Sequence, residues 1–157
     1  MAAKKARGKT DGVERLGWLL PVTFAAHIGE EYLGGFPGWF SRVVGGRLTT
    51  ERFFELAGLG WVAMAVAVAI AVTVRPARIV LVVLASMILT NAALHVGASL
   101  VTAGYSPGTV TAGLLWIPLG VALLLKLERE LPHAVLAAGI GIGVAIHAMI
   151  VLAALRR

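Results

Sequence analysis

Three ionisable residues lie within one helical turn in the segment HIGEE, at positions 27, 30 and 31. They follow an apolar run, Leu16 to Ala26, that contains no charged residue. On a helix, His27 shares a face with Glu30 at i+3 and with Glu31 at i+4. Ionisable groups in apolar membrane segments are costly, and by default they indicate a functional site. Two carboxylates beside a histidine become tolerable when they share protons or bind a metal ion.

Further polar residues are predicted at the same depth. Asn91 and His95 are spaced i, i+4 on a later apolar segment, and His147 lies on the last one. At about 1.5 Å of rise per residue, His27 lies roughly 16 Å and Glu31 roughly 22 Å along the first segment. Asn91 lies roughly 18 Å, and His95 and His147 roughly 24 Å, along theirs. These three segments cross in the same direction, so their polar residues are predicted to form one layer.

Imidazole and carboxylate ligands suit zinc, iron or manganese. Two histidines and one carboxylate are the ligands of many catalytic zinc sites, which leave one position open for water. Glu30 or Glu31 would then act as a general base or a bridging ligand, and Tyr105, in a turn above the layer, would donate a proton or anchor the chain at the interface. We expect one or two divalent ions, zinc or iron, with ligands drawn from His27, Glu30, Glu31, Asn91, His95 and His147.

The composition indicates a membrane protein. Of 157 residues, 59% are hydrophobic and only 14% are charged, against about a quarter charged in soluble domains. The absence of cysteine excludes disulfides, thiolate metal sites and a cysteine nucleophile. Basic residues are concentrated in the first fifteen positions, beside an apolar segment. That position indicates a cytoplasmic flank facing anionic lipid, and we expect no nucleic-acid partner.

The pattern predicts an all-α integral membrane bundle. We expect a disordered basic tail over residues 1–10, then one domain over 11–157 that opens with a capping box at Asp11 and Glu14. Residues 36–47 are interpreted as an interfacial connector, Pro118 as a kink, and the GxxxG pair Gly139 and Gly143 as a close helix contact. The helices are expected at about 13–33, 51–74, 77–102, 109–126 and 132–155.

The distribution of basic residues predicts the orientation. With five transmembrane helices and a cytoplasmic N-terminus, nine of the fourteen Lys and Arg residues lie on the cytoplasmic side. A re-entrant first segment followed by four transmembrane helices is the alternative, since the charge bias is similar. We expect the first segment to be retained rather than cleaved as a signal peptide. The expected location is a bacterial inner membrane, with the lipid bilayer as partner and a homodimer left open.

Several motifs occur together in this chain: HxxEE at 27–31, NxxxH in NAALH at 91–95, YSPGTVTA at 105–112, and a further helix carrying His147. In this order they resemble the bacterial HXXEE-domain integral membrane proteins, over roughly residues 16–153. The resemblance implies a site at His27, Glu30, Glu31, Asn91 and His95. It implies no particular substrate or reaction.

From these observations we expect a membrane-embedded metalloenzyme that uses metal-activated water, in the manner of a hydrolase, on a lipid-like small-molecule substrate. A di-iron oxygenase or desaturase at the same site is one alternative, although helical di-iron sites usually contain ExxH rather than HxxE. A small proton- or ion-coupled transporter that uses the His/Glu cluster is another. Haem binding by His95 and His147 would leave both glutamates unexplained.

Overall fold

The computed structural model describes the backbone of residues 2–155 and the side chains of residues 12–155. Within this part the chain is all-helical and contains no strand. A 3₁₀ turn, Arg75–Arg78, leads into the fourth helix. The helices of the described residues are α1 (Ala2–Leu33), α2 (Phe36–Val43), α3 (Thr50–Thr73), α4 (Ile79–Val101), α5 (Thr109–Leu127) and α6 (His133–Leu155).

Four of the described helices, α3 to α6, are long and apolar enough to cross a membrane. Their outward surfaces carry large apolar side chains such as Leu59, Leu114 and Leu152, each more than half exposed. Such surfaces suit contact with lipid, whereas soluble proteins rarely expose contiguous apolar area on this scale. The prediction of an all-helical membrane bundle is therefore confirmed. Helix α1 is less apolar than these four because it contains HIGEE.

Helix α4 is the centre of the bundle and packs against α1, α3, α5 and α6. Its inner faces bury Leu81, Ala85 and Ile88 in the main apolar core. A Cβ added at Gly139 of α6 would lie 2.8 Å from a Val82 methyl group, and one added at Gly143 would lie 2.5 Å from the Val83 carbonyl oxygen. The GxxxG pair thus lets α6 approach the backbone of α4 closely, as predicted.

Two segments differ from the sequence prediction. A disordered tail was expected over residues 1–10, but helix α1 begins at Ala2. Residues 2–10 can continue the helix because they contain no proline and are rich in the good helix formers Ala, Lys and Arg. Residues 36–43 form the short helix α2, within the predicted connector. Pro37 lies in its first turn, where the missing N–H has no helical partner to lose. Met1, Arg156 and Arg157 lie outside the described residues.

The two ends of the bundle are held differently. At the end near the N-terminus of α4, the buried guanidinium of Arg78 pairs with Glu130, and with Glu14 at 3.9 Å. This cluster joins α1, the turn before α4 and the link before α6. At the opposite end, Phe40 of α2 packs with Leu48 and Phe53 in a separate apolar cluster. The polar site lies nearer this second end.

Helix α5 contains a π-helical turn, Ala112–Trp116, directly before Pro118. Proline cannot donate to the carbonyl one turn earlier, so the helix is locally irregular there, as the sequence predicts. π turns are frequent at functional sites. This one carries Trp116 into the bundle, against the ring of His27.

Candidate metal centre

A cluster of two histidines and one glutamate is buried between α1 and α4. Its members are His27, Glu31 and His95, and one potential ligand atom from each lies within 4.8 Å of the others. The Glu31 Oε1 atom lies 3.5 Å from His27 Nε2 and 3.2 Å from His95 Nε2. The structure thus brings three of the predicted ligands together in a group that could hold a metal ion.

The helical repeat explains why only one of the two adjacent glutamates belongs to the cluster. Residues four apart lie on one face of a helix, so His27 and Glu31 point together towards α4 and His95. Consecutive residues are separated by about 100° around the axis. Glu30 therefore faces a different neighbour, the start of α5.

The Nδ1 atom of each imidazole ring lies beside a hydroxyl group. The His27 Nδ1 atom lies 2.7 Å from Thr111 Oγ1, and the His95 Nδ1 atom lies 3.3 Å from Ser106 Oγ. Trp116 stacks on His27, with ring centroids 3.8 Å apart. Partners of this kind orient metal-ligating histidines. Sequence reasoning missed all three residues, although the hydroxyl-rich segment YSPGTVT was a signal for two of them.

The Nε2 atom of His27 is buried and has no hydrogen-bond partner among the described residues. The Thr111 hydroxyl lies 3.3 Å from the Gly108 carbonyl oxygen, to which it can donate. If it donates there, it accepts the Nδ1–H of His27 and the lone pair of Nε2 faces the Glu31 carboxylate; if it donates to Nδ1 instead, Nε2 carries the hydrogen and points it towards Glu31. A lone pair and a carboxylate oxygen repel each other in a buried site unless a cation lies between them.

Glu30 stabilises the beginning of α5. Its Oε1 atom accepts hydrogen bonds from the backbone N–H groups of Gly108 (3.1 Å) and Val110 (2.9 Å), and its Oε2 atom accepts one from that of Thr111 (2.6 Å). A carboxylate at a helix N-terminus is favoured by the unpaired N–H groups and the helix dipole. Glu30 lies outside the group of three, and its roles as ligand and base stay predictions.

Tyr105 belongs to the same contact rather than to the cluster. Its hydroxyl donates to Glu30 Oε1 at 2.7 Å, and its ring is half exposed. Burial, and then the hydrogen bond to Glu30, raise the pKa of the phenol above its ordinary value. The phenol stays protonated at neutral pH and closes the turn over Glu30. Tyr105 does not line the cavity described next, and its role as a proton donor stays a prediction.

A cavity of about 620 Å³ lies beside the cluster, among α2, α3, α4 and α6. Glu31 and His95 form part of its wall, as do the other two predicted ligands, Asn91 and His147. Asn91 and His147 lie outside the group of three that could share one ion. The Asn91 Oδ1 atom is buried without a partner in the described part of the chain. The polar layer predicted from helix depth thus comprises a compact cluster and two residues of an adjoining cavity.

The substitution Thr111→Val should lower the metal affinity of the site by roughly 10–100-fold, as is typical when a partner of a ligating histidine is lost. Valine keeps the shape and the backbone N–H that binds Glu30, but it frees the His27 ring to rotate. The affinity is measured by competition with a chelator. Thr23→Val is the control, because that hydroxyl only bonds to the Leu20 carbonyl of its own helix. Equal affinity in both variants would mean that the Thr111 hydroxyl does not position His27.

Four helices long and apolar enough to cross a membrane, together with a buried His/Glu cluster, define the class as an all-helical protein of integral membrane type. The chain belongs to the family described as "Protein of unknown function with HXXEE motif", which it matches over residues 18–123. The resemblance drawn from the motifs is thus confirmed, and His27, Glu30 and Glu31 are the residues of the named motif. The match includes His95 and ends before His147. No curated protein and no solved structure matches the chain.

Proposed function

We propose that the protein is a membrane-embedded metalloenzyme in which His27, Glu31 and His95 bind a single divalent ion. The observation that carries the proposal is the convergence of three buried potential ligands, with one atom from each within 4.8 Å of the others, beside a His27 Nε2 atom that has no hydrogen-bond partner among the described residues. In the tautomer with the hydrogen on Nδ1, His27 Nε2 and Glu31 Oε1 are two electron-rich atoms 3.5 Å apart. A metal ion removes the repulsion, as does an additional proton or the tautomer that carries the hydrogen on Nε2.

Two of the three ligand separations suit a divalent ion such as zinc. Zinc lies about 2.0–2.2 Å from nitrogen and oxygen ligands, so two ligands of a tetrahedral ion lie roughly 3.3–3.5 Å apart. The separations from Glu31 Oε1 to the two Nε2 atoms are 3.5 and 3.2 Å. A di-iron site is less well supported, because bridging needs further carboxylates and Glu30 is engaged with α5. Three protein ligands leave the fourth position for water or substrate.

The proposed reaction is hydrolysis of a lipid-like substrate in the adjoining cavity. When bound, a divalent ion such as zinc polarises a carbonyl group and makes water more acidic. His147 lines the same cavity as Glu31 and His95, outside the cluster, and would take a proton from water. For an ester, the water oxygen bonds to the carbonyl carbon, the acyl C–O bond breaks, and His147 returns the proton to the leaving alkoxide. Asn91 would orient the substrate from the same wall.

We further propose that α1 crosses the membrane as a fifth helix, with the N-terminus on the cytoplasmic side of a bacterial inner membrane. Helix α1 is continuous from Ala2 to Leu33, and residues 12–33 alone correspond to about 33 Å of helix. It packs against α3 and α5, both of membrane length. The basic residues near the N-terminus favour the cytoplasmic side. Lipid surrounding such a bundle would give an apolar substrate lateral access to the cavity.

The test combines metal content with hydrolysis of a long-chain p-nitrophenyl ester. Protein purified in detergent without chelator should contain about one zinc per chain, and His147→Gln should keep the zinc while hydrolysis falls roughly 10²–10⁴-fold. His133→Gln is the matched control, because His133 is exposed at the start of the same helix.

Each result decides a separate part of the proposal. Protein that contains no metal would contradict the metalloenzyme, and a pH-dependent ion flux in liposomes would then favour a transporter. Unchanged hydrolysis in His147→Gln would contradict the role of His147 as the proton-transfer residue.

A further inference from the structure

The cavity is long and extends beyond the metal centre in both directions. Along α4 it runs from Val80 to Ala98. This is about 27 Å of helix, which approaches the roughly 30 Å thickness of a hydrocarbon core. Helices α3 and α6 both pack on α4, and each forms part of the wall. On α3 the wall includes the small residues Gly60, Ala63 and Ala67, which leave room for an occupant.

The polar side chains that line this cavity form a band across it and do not close one of its ends. On α4 the band contains Asn91 and His95. Towards Val80 the wall is apolar over about 16 Å of helix. On the other side of the band, the aromatic residues Phe36 and Trp39 of α2 line the cavity. An occupant therefore has its polar portion between two hydrocarbon portions.

The wall of the cavity has no cationic side chain that could bind a phosphate head group. Among the described residues that line the cavity, the ionisable ones are Glu31, His95 and His147, and there is neither lysine nor arginine. Phosphate and carboxylate groups are usually bound by arginine or lysine. Without a bound cation, a phosphate beside Glu31 would be repelled, and a charged head group at hydrocarbon depth would also be costly.

We propose that the cavity binds an uncharged acyl lipid whose carbonyl linkage lies in the polar band and whose two hydrocarbon portions extend to either side, as in a long-chain ester. This inference rests on the proposed function for its chemistry and names the class of substrate. Binding itself depends on the apolar walls and on the absence of cationic side chains. It can therefore be measured whether or not the metal centre is active.

The test is photo-crosslinking with three probes that carry the same diazirine-labelled chain: an uncharged ester of a long-chain alcohol, the free fatty acid, and a lysophosphatidic acid. The protein is reconstituted in phosphatidylcholine vesicles, as purified and again after removal of metal by a chelator. The ester should label cavity residues of α3 and α4 saturably in both preparations. In the chelated protein the two anionic probes should label these residues at least about tenfold less. Mass spectrometry locates the labelled residues.

A pair of neighbouring substitutions separates the cavity from the outer surface. Ala63→Trp places a large ring in the cavity and should reduce saturable labelling at least about tenfold. Val62→Trp is the control, because Val62 is 55% exposed and lies outside the cavity wall. If Ala63→Trp fails to fold, competition of labelling by excess unlabelled ester in the wild type still tests the site.

Three results would overturn the proposal. Labelling by lysophosphatidic acid or free acid equal to that by the ester, in metal-free protein, would mean that the cavity does not select uncharged lipids. Labelling that unlabelled ester does not compete would reflect only the surrounding bilayer. Equal labelling of Ala63→Trp and Val62→Trp would place the lipid outside the cavity. If the protein binds the ester saturably but does not hydrolyse it, only the proposed reaction is contradicted.

Discussion

Replacing Glu31 by glutamine should remove metal binding, whereas the same substitution at the adjacent Glu30 should leave it intact. Glu31 supplies the carboxylate oxygen that lies 3.5 and 3.2 Å from the two imidazole Nε2 atoms. Its loss should weaken metal affinity by more than the roughly 10–100-fold typical of an indirect partner. Glu30 binds three backbone N–H groups and the Tyr105 hydroxyl, so Glu30→Gln should lower the free energy of unfolding, by about 1.5–3 kcal/mol.

The measurement is zinc per chain by mass spectrometry, together with the thermal unfolding midpoint of each variant in detergent. The two variants share charge and size, so a general effect of removing one negative charge would appear in both. Equal zinc loss in the two would contradict the separation of roles. Full zinc content in Glu31→Gln would contradict the ligand set itself.

Glu30 and Glu31 show what could not be predicted from the sequence alone. The motif and the helical repeat predicted a polar site at HIGEE, and the depth of each helix predicted that His27 and His95 would meet. The partner of Glu30 is the backbone of residues 108–111, far along the chain. Contacts of that range depend on where the turn before α5 lies, which no local pattern determines. Both glutamates were therefore equally plausible ligands.

The fold shows the same division between local and long-range information. The apolar runs of α3 to α6 are long enough to identify these helices from hydropathy. Helix α2 is short and lies among glycines and a proline, so its aromatic residues indicated an interface but not a helix. From the sequence, Trp116 could be interpreted only as an apolar residue of α5. Its contact with His27 depends on the π turn and on the packing of α1 against α5.

Gly108 should be essential, because its backbone, at the end of the turn of residues 102–108, lies close to both imidazole rings. A Cβ added there would lie 2.7 Å from His95 Cε1 and 2.8 Å from His27 Cε1. The residue also has a φ of 102°, which favours glycine. We expect Gly108→Ala to destabilise the protein by about 2–4 kcal/mol through strain and overpacking. Displacement of both histidines should also reduce metal affinity by at least about 100-fold.

Two glycines provide controls that separate the causes. Gly35 has a φ of 74°, but a Cβ there would meet nothing within 4 Å, so Gly35→Ala tests backbone strain alone. Gly97, two residues after His95 in α4, also has open space, and Gly97→Ala should be neutral or slightly stabilising. Gly35→Ala should lower stability and keep metal affinity. If Gly108→Ala behaves like Gly35→Ala in a chelator titration, the two rings do not depend on the Gly108 backbone for their position.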